Sequence, residues 1–142
     1  LAKNDSQKRF IGIDAGTHTG FAVWSWEDKK LVDIRTLAIH EALEEVMLYH
    51  ESMGGVIVRV EDARLRSYFG TSGPEMWQGA GSIKRDCSIW EDFLEDKGIT
   101  FQMVAPKNNK TKLKSAMFKR LTGWNRQTSE HARDAAMLVY GM

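Results

Sequence analysis

Residues 11–20 read Ile11-Gly12-Ile13-Asp14-Ala15-Gly16-Thr17-His18-Thr19-Gly20. A short apolar strand delivers one carboxylate, Asp14, into a glycine-bearing turn. A second apolar run, Val56-Ile57-Val58-Arg59-Val60, ends the same way, on Glu61. Near the C-terminus a third acid, Asp134, follows His131 by three residues in an alanine-rich pattern, so the two share a helix face. Acids at strand ends and on a helix face suit a divalent metal, because Mg²⁺ takes oxygen ligands that converge from different elements. Each residue also has a plainer reading. Asp14 can serve as a turn former, and Glu61 can pair with Arg59 or Arg64. His131 can be a half-buried helix histidine. Asp134 is harder to dismiss, because a buried carboxylate needs a partner. Glu130 suits the dipole at the start of the last helix.

Outward from this stretch the pattern predicts β-β-β-α-β-α-β-α-α. Arg9 to Asp14, Gly20 to Trp26 and Leu31 to Ala38 read as strands joined by short turns, an antiparallel meander. In the second, Phe21, Val23 and Ser25 alternate with Ala22, Trp24 and Trp26. Ile39 to Met53 has one apolar helical face, and Gly54-Gly55 are expected to end it. Val56 to Glu61 follows a helix, so a crossover sets it parallel to the first strand, and its apolar character suits a central position. A second helix is expected from Met76 to Lys97, with a seam of Met76, Ala80, Ile83, Cys87, Trp90 and Leu94. Gly79 and Gly81 in that helix suggest a close approach by another backbone or a ligand, or a frayed start. Ile99 to Val104 forms a fifth strand, and helix returns around Lys112 to Leu121. Thr128 or Ser129 caps a last helix. The expected fold class is α/β, one mixed sheet flanked by helices in a single domain over residues 1–142.

Composition narrows the classes. The 142 residues are 42% hydrophobic and 27% charged, ordinary for a globular chain with one core. No apolar run approaches the roughly 20 residues of a membrane helix. No leader pattern stands at the start, and Leu1 in place of Met suggests a trimmed N-terminus. Cys87 is the one cysteine and falls on an apolar face, which reads as core filler in a reducing cytoplasm. Net charge is only +1, but it is segregated. From Ile99 through Ser129 there is no Asp or Glu, while Lys107, Lys110, Lys112, Lys114, Lys119, Arg120 and Arg126 all fall there. Such a field suits a polyanion; a solvated lysine-rich face is the plainer alternative.

The motif at Asp14, the apolar strand ending in Glu61, and His131-Ala-Arg-Asp-Ala-Ala136, in this order and spacing, resemble the RuvC family of Holliday junction resolvases, members of the RNase H-like nuclease superfamily. The resemblance runs through nearly the whole chain in element order. It implies the RNase H-like fold: a five-stranded mixed sheet, three antiparallel strands then two parallel, flanked by α-helices. It implies a homodimer that nicks four-way DNA symmetrically with Mg²⁺, or Mn²⁺ as substitute, in the cytoplasm of a bacterial or phage-infected cell. Its catalytic, metal-holding acids carry over to Asp14, Glu61 and Asp134, with His131 where members have Asp or His. Two ions are expected, one between Asp14 and Glu61, the other between Asp14 and the His131/Asp134 pair, with His131 either a ligand or a proton-transfer group. Tyr68 and Phe69 fall near the family's junction aromatic, though further along the loop; packing against the core is the equal alternative. Arg64, Arg66, Lys84, Lys107, Lys110, Lys112 and Lys114 complete the expected DNA contacts.

Other readings stand beside this one. The Asp14 turn also resembles the phosphate turn of actin-like ATPases and sugar kinases, but those need two lobes and one fills this chain. A YqgF-like or other RNase H-fold nuclease acting on RNA or other branched DNA is closer. So is a non-catalytic DNA-binding module, against which the intact acid set argues. The Met76–Leu94 seam, with Trp77, fits either a dimer interface or the core face of one subunit.

Overall fold

The computed structural model describes residues 4–65, 73–109 and 112–142. The elements run β1 (Asn4–Asp14), β2 (His18–Ser25), β3 (Lys30–Ala38), α1 (Ile39–Ser52), β4 (Met53–Glu61), α2 (Gly73–Asp96), β5 (Thr100–Val104), α3 (Ser115–Thr122) and α4 (Glu130–Met137). Single 3-10 turns at Ala63–Leu65 and Pro106–Asn108 follow β4 and β5. The strands form one sheet in the order β3-β2-β1-β4-β5. β1 to β3 are antiparallel neighbours, and β4 and β5 run parallel to β1. This is the five-stranded mixed sheet flanked by helices that the RNase H-like resemblance implies.

Both faces of the sheet are covered. Phe21 and Val23 pack with Val46, Trp90 and Leu94 on the face of α1 and α2. Ala22 and Trp24 pack with Phe118, Ala135 and Leu138 on the face of α3 and α4. The alternation along β2 therefore separates two apolar layers rather than core from solvent. Trp26 lies beyond the strand and is 47% exposed.

One expectation is corrected, and two open readings are narrowed. Gly54-Gly55 do not end α1. The helix stops at Ser52, Met53 turns extended, and both glycines lie within β4. A Cβ at Gly81 would meet no described atom within 4 Å, so no described backbone presses on it. The C-terminal half of the α2 seam belongs to the subunit's own core: Trp90 and Leu94 are wholly buried against the sheet, and Cys87 is wholly buried too. Burial pushes the Cys87 thiol up to about 11, which suits filler rather than a nucleophile. Among the described residues no helix is long and apolar enough to cross a membrane.

Candidate active site

β1 and β4 run parallel in a register that sets Asp14 directly beside Glu61 at their C-terminal ends. Each strand stops there because the polar turn after it ends the apolar run. The sheet edge thus presents two carboxylates side by side.

The third acid arrives on α4, whose seating depends on two glycines. A Cβ on Gly12 would stand 2.0 Å from the Ala135 carbonyl oxygen, and one on Gly20 would stand 2.0 Å from that of His131. Only a bare Cα admits the helix backbone so close. Ser129 starts α4, its Oγ accepting from the Ala132 N–H at 3.0 Å. One turn of helix then sets His131 and Asp134 toward the strand ends.

Asp14, Ala15, Gly16, Glu61, His131 and Asp134 line one cleft of about 230 Å³, with Lys112 and Glu130 at its wall. The His131 Nδ1 lies 3.0 Å from Asp14 Oδ2, in reach of a hydrogen bond whose donor depends on the tautomer. The Asp134 Oδ1 accepts from the Lys112 N–H at 2.7 Å. Lys112 takes a left-handed backbone, φ 59°, costly for a residue with a Cβ and of a kind that clusters at functional sites. Burial raises the Asp134 carboxyl above its usual value, against the Lys112 N–H, which favours the charged form.

Asn109 belongs to this site although the sequence reading passed over it. Its Nδ2 donates to Glu61 Oε2 at 3.0 Å and to the Asp134 carbonyl at 3.1 Å. That carbonyl is available because α4 tightens at its end, where the Leu138 N–H bonds Ala135 rather than Asp134. One amide thereby ties β4 to α4. The Asn109 Oδ1 is buried without a hydrogen-bond partner.

Three carboxylates and one imidazole offer hard oxygen and borderline nitrogen donors, a set that fits Mg²⁺ or Mn²⁺. Glu61 and Asp134 are 7% and 8% exposed, so their charges sit away from bulk water, where a cation offsets the desolvation. Among the described residues, no three His, Cys, Asp or Glu groups already close around a common point. Asp14 leans to His131 and Asp134 to Lys112 instead.

Of the expected DNA contacts, Lys112 lines the cleft, while Lys84 on α2, Lys107 after β5 and Lys114 before α3 are exposed and are not among the residues lining it. Arg66, Tyr68, Phe69 and Lys110 lie outside the described residues. Arg64 is committed inward. Its guanidinium holds Asp62 through Nε and Nη2, both at 2.8 Å, and reaches Glu91 at 3.0 Å. Asp62 is 2% exposed. Burial pushes its carboxyl up, but the Arg64 hydrogen bonds and charge outweigh this and hold it below the usual range. Arg64→Ala is therefore expected to cost about 2–3 kcal/mol in urea melts near neutral pH, because a buried carboxylate loses its partner. The pair's stabilisation is complete above the ordinary carboxylate value and is lost as pH falls through the lowered one. The gap between wild type and variant should close on acidification. A variant of unchanged stability that binds DNA more weakly would return Arg64 to the DNA contacts.

No family model matches this chain, and no curated protein matches it. Among solved structures, the chain is similar to RuvC of T. thermophilus in complex with a Holliday junction substrate, at 14% identity and a TM-score of 0.49, over 92% of this chain and 89% of that one. It is also similar to the large terminase nuclease from the thermophilic phage G20c, at 13% identity and a TM-score of 0.41, over 84% of this chain and 53% of that one.

Proposed function

We propose that this chain is a divalent-metal-dependent endonuclease that nicks branched DNA, the four-way junction above all. The observation that carries the reading is the convergence of Asp14, Glu61, His131 and Asp134, from two strands and a helix, on one cleft. Asp14, Glu61 and Asp134, with His131, would hold Mg²⁺ or Mn²⁺, two ions in the full site. Bound there, such ions supply an activated water and charge stabilisation for the departing oxygen.

The chain's own groups do the rest. His131 orients Asp14 through their hydrogen bond and offers a ring nitrogen for proton transfer. Asn109 holds one oxygen of Glu61 and so fixes the carboxylate at the cleft wall. Lys112, Lys114, Lys107 and Lys84, with Lys110, supply phosphate contacts that position a strand without reading its sequence. Arg66, Tyr68 and Phe69 are junction contacts in this reading, one of the two aromatics taking an unpaired base. Two cuts at related positions call for a homodimer with two such sites, acting in the cytoplasm.

The test is cleavage of a synthetic four-way junction and of the matching linear duplex, with Mg²⁺, Mn²⁺ or EDTA. Paired nicks in the junction with either metal, none in EDTA and an intact duplex are expected. A junction left whole with both metals overturns the nuclease reading. Equal cutting of the duplex overturns the junction preference, and a monomer by light scattering at micromolar concentration overturns the two-site arrangement.

A further inference from the structure

A second cavity, of about 280 Å³, opens toward the opposite end of β2 from the acidic cleft. One wall is the β2–β3 hairpin, with Trp24 and Lys30. The other is the segment leaving α3, with Trp124, closed by Tyr140. Trp24 lies four residues along β2 from Gly20, which pairs with Asp14. At roughly 3.3 Å per residue the two cavities are about 13 Å apart along the sheet.

The walls combine flat rings with cations. Trp24 packs edge-on against Tyr140, centroids 5.4 Å apart, and the Arg126 guanidinium lies 4.8 Å from the Trp124 ring. Lys30 is exposed at the rim, and the Lys29 ammonium sits over the exposed Trp26 ring while donating to the Met142 carbonyl. The nearby acids are engaged: Glu27 with Arg9 and the Lys8 N–H, Asp28 with Ser25. The indole Nε1 atoms of Trp24 and Trp124 are buried without a hydrogen-bond partner. Two such orphans on residues that line one cavity, one from each wall, call for an explanation.

The acid-free stretch connects the two cavities. Lys112 lines the cleft; Lys114 and α3 follow; Thr122, Gly123 and Trp124 line the second cavity. Lys114, Lys119, Arg120 and Arg126 are all exposed along the way. A ligand matched to this path carries regularly spaced negative charge and a free π-face. Single-stranded nucleic acid has both, whereas a duplex keeps its bases stacked inside. At a duplex-like spacing of roughly 3.4 Å, 13 Å is about four nucleotides.

We infer that this cavity is a second nucleic-acid contact, holding an unpaired strand that runs from the cleft along α3. A base lodges at the Trp124–Tyr140 wall, and its phosphates meet Lys30 and Arg126. The inference rests on the nuclease reading for the strand's route into the cleft, but its test does not depend on cutting.

The test is binding of a labelled thymidylate 12-mer, and of an abasic 12-mer, in EDTA. Lys30→Glu/Arg126→Glu changes two exposed side chains, Trp124→Ala removes the aromatic wall, and Lys97→Glu reverses an exposed charge just beyond α2. The double variant and Trp124→Ala should bind the thymidylate about tenfold more weakly, with a shallower salt dependence for the double variant. Lys97→Glu should bind as wild type does, and the abasic strand should bind wild type about tenfold more weakly. Wild-type affinity in the double variant overturns the contact, and an abasic strand that binds as tightly overturns the base pocket. A protein that shows the expected binding pattern yet cuts no junction keeps this contact and loses the nuclease reading.

Discussion

Asp14→Asn is expected to lower metal-dependent junction cutting by about a thousandfold, on the order of 4 kcal/mol of transition-state stabilisation, while the protein still folds and still binds the junction. Asp14 is the proposed ligand shared by both metal positions, because it stands between Glu61 on the neighbouring strand and His131 on α4. Its side chain is 16% exposed, so solvent does little to substitute for a lost ligand charge. Asparagine keeps the size and one oxygen, and can still meet the His131 ring. Stability and shape should therefore survive while the anionic ligand is gone. Removing a negative charge beside a phosphate path should leave junction affinity unchanged or slightly higher. Gel-shift affinity in EDTA, cleavage with Mn²⁺ and circular dichroism on the same preparations separate these effects. Equal cutting by variant and wild type would sink the assignment of Asp14, and with it the proposed metal site.

How far the sequence revealed this molecule depends on the range of the interaction that decides each feature. The meander and the crossover were legible because strand period, turn residues and connection length are local. Together they brought Asp14 and Glu61 to one sheet edge. The α2 seam shows the limit of periodicity. Its spacing marks an apolar face without naming the partner, and the sheet claimed Trp90 and Leu94. Gly54-Gly55 carry a helix-stop signal that Met53 pre-empted by turning extended. Arg64 counts as a positive charge in composition, but its neighbour Asp62 is buried two residues away and captures it. Nothing in the sequence separates Asn109 from Asn108. Only the turn after β5 decides which amide reaches Glu61.

The glycines of the opening stretch carry the other large effect. The sequence pattern places Gly12 and Gly20 in strands, and they lie inside β1 and β2, but nothing local in it reveals that both act at long range against α4. Gly20→Ala would place a Cβ 2.0 Å from the His131 carbonyl oxygen, 2.5 Å from its carbon and 3.1 Å from the Asp14 Cβ. Two of these three atoms are helix backbone, which cannot turn aside as a side-chain tip does. Either α4 lifts from the sheet or β2 shifts away from β1. Overpacking that side chains can relieve costs about 1–3 kcal/mol. A backbone clash in the core should cost about 3 kcal/mol or more, a fall of about 10 °C in Tm for a chain of this size. Gly12→Ala, against the Ala135 carbonyl, should cost as much. Gly16→Ala is the control: its Cβ would meet only the His18 carbonyl at an ordinary 3.7 Å, and stability should stay within about 0.5 kcal/mol. The same exchange, four residues apart in one motif, should thus be costly at one position and silent at the other. Cutting should fail in Gly20→Ala even well below its lowered Tm, because the displaced end of α4 carries His131 and Asp134. Matching melting curves for the Gly16 and Gly20 variants would mean that α4 does not rest on the bare strands, and the four-residue cleft would lose its geometric basis.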